Sequence, residues 1–80
     1  VNLKESEKDY KLINISYKVP KGGLLEKRVK IIIFDNDGTK KIFDDLVRSG
    51  SLIEKPIKVN GQTILQIFIN NEFVEEKKYD

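Results

Sequence analysis

The chain has 80 residues, of which 15 are basic and 13 acidic, giving a formal net charge of +2. This length allows one small domain, and because both signs of charge alternate along most of the chain, we expect no strong electrostatic field. The chain has no Cys and no His, which excludes disulfide bonds, catalysis by thiolate or imidazole, and the commonest zinc ligands.

The first half of the chain has the two-residue alternation of β-strands. Residues 13–19 alternate apolar and polar side chains, as a half-buried strand does. A second strand, at residues 27–34, is apolar on both faces, which indicates a central position in a sheet. A third strand is predicted at residues 39–44. Residues 1–10 are expected to be a linker or a frayed segment of a longer protein, so the domain itself would be residues 11–80.

A fourth strand is predicted at residues 52–59. It contains Pro56, whose missing N–H favours a sheet edge or a bulge. Asn60 and Gly61 follow, and this pair is the strongest short signal for a type I′ hairpin turn. We therefore expect the next strand, residues 63–69, to pair with the fourth.

Asn70 and Asn71 repeat this turn chemistry more weakly and precede a last strand at residues 72–79. Six short strands separated by turns, with no convincing helix, predict an all-β fold, either a small antiparallel β-sandwich or a barrel. The most apolar alternating positions should form the centre of the core: Val29, Ile31, Ile33, Leu65, Ile67 and Ile69.

Residues 35–39, Asp-Asn-Asp-Gly-Thr, follow an apolar strand and resemble the first motif of the haloacid dehalogenase superfamily. In that family the first Asp attacks phosphorus, the second acts as acid and base, and Mg²⁺ lies between them. The parallel sheet and the further polar residues of those enzymes are missing here. The same residues also suit a tight turn, with Asp35 accepting backbone N–H bonds and Gly38 in the left-handed conformation. We therefore predict a turn with no catalytic residue, no cofactor and no metal site beyond weak, adventitious Ca²⁺ binding.

Two clusters place basic residues before an aromatic one: Lys27, Arg28 and Lys30 before Phe34, and Lys40 and Lys41 before Phe43. Small β-barrels use such mixtures to hold phosphates and stack bases. Interposed acidic residues and the nearly neutral net charge argue against this use, so no nucleic-acid partner is expected. A small intracellular β-barrel that binds nucleic acid or protein stays the alternative interpretation.

Residues 27–39, 48–55 and 66–77 share one order of features: a strand ending in D-N-D-G-T, a glycine loop before L-I-E-K, and the run Q-I-F-I-N-N-E-F-V-E-E-K. As a whole this order resembles the extracellular C-terminal domain that follows the PASTA repeats in membrane-anchored serine/threonine kinases of Firmicutes. Members often have Pro-Gly where Ser49-Gly50 stands, and Gly where Asn71 stands. Both differences exchange one turn residue for another.

The resemblance implies an immunoglobulin-like sandwich with a non-catalytic role. In such kinases the catalytic domain is cytoplasmic, one helix crosses the membrane, and the PASTA repeats outside sense cell-wall fragments. This chain would be the distal domain at the cell surface, acting as a spacer, a cap or a surface-interaction module. The adjacent PASTA repeats are its expected partners, with peptidoglycan or another receptor copy as further ones, and membrane contact is expected only through the parent protein. No binding residue is carried over from the family.

Overall fold

A computed structural model of the protein describes residues 10–79. These residues form six strands in chain order: β1 (Tyr10–Lys18), β2 (Glu26–Asp35), β3 (Gly38–Arg48), β4 (Leu52–Asn60), β5 (Thr63–Ile69) and β6 (Glu72–Tyr79). Within this range there is no helix with the length and apolar character needed to span a bilayer. The predicted all-β fold is confirmed. The linker or frayed segment predicted at the start of the chain lies outside the described residues, except that Tyr10 already belongs to β1.

The strands divide between two sheets that pack on one shared core. One sheet pairs β1 with β4, and the other has the order β3-β2-β5-β6. Every pairing is antiparallel. The described part of the chain is therefore a small β-sandwich made of a two-stranded and a four-stranded sheet, and β2 occupies the central position that its apolar faces predicted.

Alternate side chains of both sheets fill the space between them, as the pleat of a strand dictates. Ile15 and Tyr17 of β1 and Ile53 of β4 contribute from the two-stranded sheet. The four-stranded sheet contributes Val29, Ile31, Ile33, Leu65 and Ile67, with Ile69 packed against them. The predicted centre of the core is thus confirmed.

The predicted hairpin at Asn60 and Gly61 is wrong. β4 pairs with β1, whereas β5 lies between β2 and β6 in the other sheet. A type I′ turn needs positive φ at both central residues, and here Gly61 has φ of 72° while Asn60 is outside the positive region. Pro56 supplies the physical reason, since a strand that lacks one N–H is confined to an edge and β1 already occupies its one neighbouring position. Gly61 and Gln62 instead carry the chain from one sheet to the other.

The turn between β5 and β6 has the type I′ conformation that was predicted more strongly for Asn60 and Gly61. Asn70 and Asn71 have φ of 52° and 69°, so both central residues of this two-residue loop are left-handed. Asn tolerates that region better than most residues do, because its short side chain can hydrogen-bond locally. The weaker of the two asparagine signals is therefore the real hairpin.

Strand β3 extends four residues beyond the predicted end at Asp44. A register shift opposite Ile31 and Ile32 leaves Ile42 as an extra residue, and pairing with β2 resumes after it. Asp44 is accommodated in the strand because Arg28 Nε lies 2.9 Å and Lys41 Nζ 3.0 Å from its carboxylate oxygens.

Candidate functional site

The aspartates of the D-N-D-G-T motif lie at one end of the sandwich, in the turn between β2 and β3. Asp35 stands opposite Gly38, with Asn36 and Asp37 between them. The backbone N–H of Asp37 donates to Asp35 Oδ1 at 2.9 Å, which is the local bond of an Asx turn. Gly38 has φ of 118°, a conformation that glycine adopts without steric cost. The predicted turn, with Asp35 as its cap, is confirmed.

Both carboxylates also bind across to the other sheet. Asp35 Oδ2 accepts the backbone N–H of Asn60 at 3.0 Å, and Asp37 Oδ1 accepts the side-chain amide of Asn60 at 2.9 Å. Asp37 Oδ2 accepts the hydroxyl of Tyr10 at 2.9 Å. The backbone N–H of Asn36 donates to the Asn60 carbonyl at 3.0 Å. We call these five residues the aspartate cluster, because they tie the β2–β3 turn to the ends of β1 and β4.

Electrostatics at the aspartate cluster favour a protonated Tyr10. The hydrogen bond to Asp37 raises the pKa of the Tyr10 hydroxyl, and partial burial and the charges of Asp37 and Asp35 raise it further. The tyrosinate form could not donate this bond and would face two carboxylates. The ring also lies beneath Lys58, whose Nζ is 4.8 Å from the ring centroid. Tyr10 therefore acts as a hydrogen-bond donor at neutral pH.

This arrangement fits a structural junction better than phosphoryl transfer. An aspartate nucleophile needs an oxygen directed at the substrate, together with a divalent metal held between the two carboxylates. Here all four carboxylate oxygens of Asp35 and Asp37 accept hydrogen bonds from the protein itself. Among residues 10–79, no group of three or more His, Cys, Asp or Glu side chains is placed to hold a metal ion.

An open groove of about 470 Å³ runs beside Asp35. Its walls include Phe34, Ile64 and Lys78, which come from three neighbouring strands of the larger sheet. Asp35 is the single carboxylate among the described residues that line it. The other titratable side chains among the described residues that line it are Lys78 and Tyr79.

The structure separates the aromatic residues of the two basic clusters. Phe43 lies opposite Ile31 and packs against the core. Phe34 lies opposite Ile64 on the outer face of the same sheet and is partly exposed. Because they lie on opposite faces, Phe34 and Phe43 do not form one platform for stacking bases.

An aromatic pair that sequence reasoning missed lies on the outer face of the larger sheet. The rings of Phe68 and Phe73 meet edge to face with centroids 5.8 Å apart, and Lys30 Nζ lies 5.4 Å from the centroid of Phe68. Nearby, the hydrogen bonds from Arg28 and Lys41 lower the pKa of Asp44. The predicted turn at Asn70 and Asn71 pairs β5 with β6 and so places Phe73 opposite Phe68, whereas the pairing of β5 with β2, which brings Lys30 to Phe68, was not predicted.

Comparisons with known protein families, curated proteins and solved structures find no match to this chain. No function of a relative is therefore carried over to these residues. The description of the site rests on its own geometry. The D-N-D-G-T residues, which resemble a catalytic motif, form hydrogen bonds that join the two sheets.

Proposed function

We propose that this chain is a non-catalytic accessory domain of a cell-surface receptor serine/threonine kinase, similar to the domain that follows the PASTA repeats in Firmicutes. The observation that carries the proposal is the use of Asp35 and Asp37, whose carboxylates join the two sheets through Asn60 and Tyr10. A domain built this way presents a rigid surface and needs no reaction of its own.

The order of the strands supports an immunoglobulin-like arrangement. In sandwiches of that kind the strands C′-C-F-G form one sheet, and B and E belong to the other. Labelled in chain order, β1 to β6 take the places of B, C, C′, E, F and G, and the observed sheets are β3-β2-β5-β6 and β1-β4. This agreement in strand order supports the immunoglobulin-like fold that the resemblance to the post-PASTA domain implies.

The positions of Tyr10 and Tyr79 favour a cap over a spacer placed in line between other domains. Tyr10 binds Asp37 at the aspartate cluster. Tyr79 lies opposite Thr63, which follows the Gly61 crossover at the same end. The described residues therefore begin and end at the same end of the sandwich. Adjacent PASTA repeats would meet the aspartate end.

The coding sequence upstream of Val1 tests the proposal directly. We expect PASTA repeats there, preceded by one membrane-spanning helix and a kinase domain. A ribosomal or helicase domain in that position would contradict the proposal and favour the intracellular alternative.

Surface accessibility supplies a biochemical test on the intact parent protein. An antibody raised against residues 10–79 should label unpermeabilised cells, because the domain is proposed to lie outside the membrane. A cytoplasmic protein of the same cells serves as the control for leakage. Labelling that requires permeabilisation would place the domain inside and overturn the proposal.

A further inference from the structure

At the end opposite the aspartate cluster, two loops are tied together by backbone hydrogen bonds. Val19 N–H donates to the Ser51 carbonyl at 2.8 Å, and Gly50 N–H donates to the Val19 carbonyl at 3.0 Å. Ser49 N–H donates to the Leu25 carbonyl at 2.9 Å, and its hydroxyl donates to the Leu24 carbonyl. We call these loops and the strand ends beside them, residues 18–28 and 46–52, the leucine end.

The leucine end holds its backbone in place while its apolar side chains project into solvent. Leu24 and Leu25 are 64% and 87% exposed, although Ser49 binds both of their carbonyls. Leu46 and Leu52, on the flanking strands, are each 56% exposed. A single exposed leucine is ordinary, but leucines grouped at one tip mark an interaction surface.

Basic side chains surround these leucines. The leucine end contains five basic residues and one acidic residue: Lys18, Lys21, Lys27, Arg28, Arg48 and Glu26. Arg28 is paired with Asp44 at 2.9 Å and Lys27 Nζ donates to the Pro20 carbonyl at 2.9 Å, so Lys18, Lys21 and Arg48 join Lys27 in carrying the excess of positive charge. Four of the five basic residues lie in residues 18–28, and the other segment adds Arg48. The fold brings them together, so the protein has a basic, apolar end and an end that carries the paired aspartates.

We propose that the leucine end docks on the surface of an anionic lipid bilayer. Leu24 and Leu25 enter the boundary between headgroups and acyl chains, and the surrounding lysine and arginine side chains contact the lipid phosphates. The two parts of the surface match the two layers of such a membrane, apolar at the tip and basic around it. A soluble anionic polymer would use the basic residues but would leave the leucines in water.

This inference goes beyond the proposed cap role and does not depend on it. The sequence led us to expect membrane contact only through the parent protein, and docking of the leucine end adds a direct contact by the domain. Because the two ends are opposite, docking of the leucine end would leave Tyr10 and Tyr79, the first and last described residues of the sandwich, away from the bilayer. Docking can therefore succeed or fail in the isolated chain whatever the parent protein proves to be.

Co-sedimentation of the 80-residue chain with lipid vesicles tests the inference. We expect binding to vesicles of equal parts phosphatidylglycerol and phosphatidylcholine, and much weaker binding to phosphatidylcholine alone. Leu25→Ser should weaken binding about tenfold or more, because an inserted leucine side chain is replaced by a hydroxymethyl group. Lys21→Gln should weaken binding about fivefold, the factor that corresponds to about 1 kcal/mol per basic residue at an anionic surface.

Two matched variants test whether losing a leucine or a lysine elsewhere on the surface would weaken vesicle binding equally. Leu12→Ser removes a side chain that is 77% exposed on β1, outside the leucine end, and Lys40→Gln removes a charge from β3 near the aspartate end. Both should bind as the parent does. Since all four positions are exposed, unfolding midpoints should coincide.

Three outcomes would overturn the inference. The first is equal binding to vesicles with and without phosphatidylglycerol, or no binding to either. The second is an equal loss in Leu12→Ser and Leu25→Ser. In the third, Leu25→Ser has no effect while soluble polyphosphate competes with the vesicles, which would assign the basic residues to an anionic polymer in solution.

Discussion

At the aspartate end of the sandwich, polar side chains bind one another, whereas at the leucine end the hydrogen bonds go to backbone carbonyls and the leucine side chains face water. Asp35 and Asp37 accept bonds from residues of both sheets. Leu24 and Leu25 contribute their carbonyls to the structure and leave their side chains exposed. Substitutions at the first end should therefore change stability, and substitutions of these side chains at the second should not.

The contrast also shows that a catalytic motif and an available surface need not coincide. The D-N-D-G-T residues resemble a phosphoryl-transfer motif in the sequence, yet the carboxylates of Asp35 and Asp37 accept hydrogen bonds from within the protein. The leucine end has no motif, because it is assembled from segments that β2 and β3 separate. That its leucine side chains are free to contact a partner follows only from their exposure and from the hydrogen bonds between the two loops.

Truncation of the core between the two ends should have the largest effect. Ile31 is fully buried in central strand β2, so Ile31→Ala removes buried methyl and methylene groups and leaves a cavity. We expect a loss of about 2–5 kcal/mol in the free energy of unfolding, measured by urea denaturation. This value sets the scale for substitutions at either end. A loss below about 0.5 kcal/mol, typical of a surface site, would contradict the central position of β2.

A valine placed at a glycine of each end compares the two ends directly. Gly61 has φ of 72°, and a Cβ there would overlap the side-chain amide of Asn36, a member of the aspartate cluster. Gly22 has φ of 94°, but a Cβ there would meet nothing within 4 Å. Gly61→Val should cost about 1–3 kcal/mol, while the open loop around Gly22 can relax and limit the cost to about 1 kcal/mol.

Urea midpoints of the parent, Gly61→Val and Gly22→Val give the comparison. The expected order of stability places Gly61→Val lowest. Equal midpoints for the two variants would show that the crossover next to the aspartate cluster is no more constrained than the loop at the leucine end.

Replacing the turn cap should cost less, and it also tests for catalysis. Asp35→Asn keeps one acceptor oxygen for the two N–H groups of Asp37 and Asn60 that Asp35 binds, so we expect a loss of about 1 kcal/mol. Neither protein should hydrolyse a general phosphate ester in the presence of Mg²⁺. Metal-dependent turnover by the parent that disappears in a folded Asp35→Asn variant would restore the dehalogenase-type interpretation.

Sequence patterns predicted the strands well, because strand formation here follows local alternation. The limits of β5 and β6 agree with the prediction, and the alternating positions of β2 and β5 form the core. Strand pairing was harder to predict from the sequence, because it depends on competition among all strands for neighbours. Asn60 and Gly61 carried the stronger local signal, but Pro56 limits β4 to a single neighbour. The limit that Pro56 sets on strand pairing therefore outweighed the preference of Asn60 and Gly61 for a hairpin turn.

The sequence predicted the turn that forms the candidate site, but it did not predict the residues that bind this turn. Asp35 as a turn cap follows from local chemistry. Tyr10 and Asn60 reach the turn from 27 and 25 residues away, and no spacing rule links them to it. Once the sheets are known, a signal does exist, since the start of β1, the end of β4 and the β2–β3 turn must lie at one end of an antiparallel sandwich.

The smallest expected effect concerns the bond between Tyr10 and Asp37, and its signature is a change in pKa. Because this bond is the main cause of the raised pKa of Tyr10, Asp37→Asn should lower that pKa towards the ordinary value of about 10. Ring signals of the tyrosines followed by NMR against pH measure this. Tyr17 is the internal control, since its pKa is raised by burial and by Glu75, neither of which the substitution changes.

The same bond predicts how stability depends on alkaline pH. A group whose folded pKa lies above its unfolded pKa contributes stability that is fully present below the unfolded value and is lost as pH rises through the folded value. The stability difference between the parent and Tyr10→Phe should therefore be present at neutral pH and shrink as pH rises above about 10. Tyr17 titrates in both proteins, so its contribution cancels in this difference. A difference that is constant with pH, together with an unchanged Tyr10 pKa in Asp37→Asn, would show that Tyr10 does not donate to Asp37 in solution, and that β1 is attached to the aspartate end by other contacts.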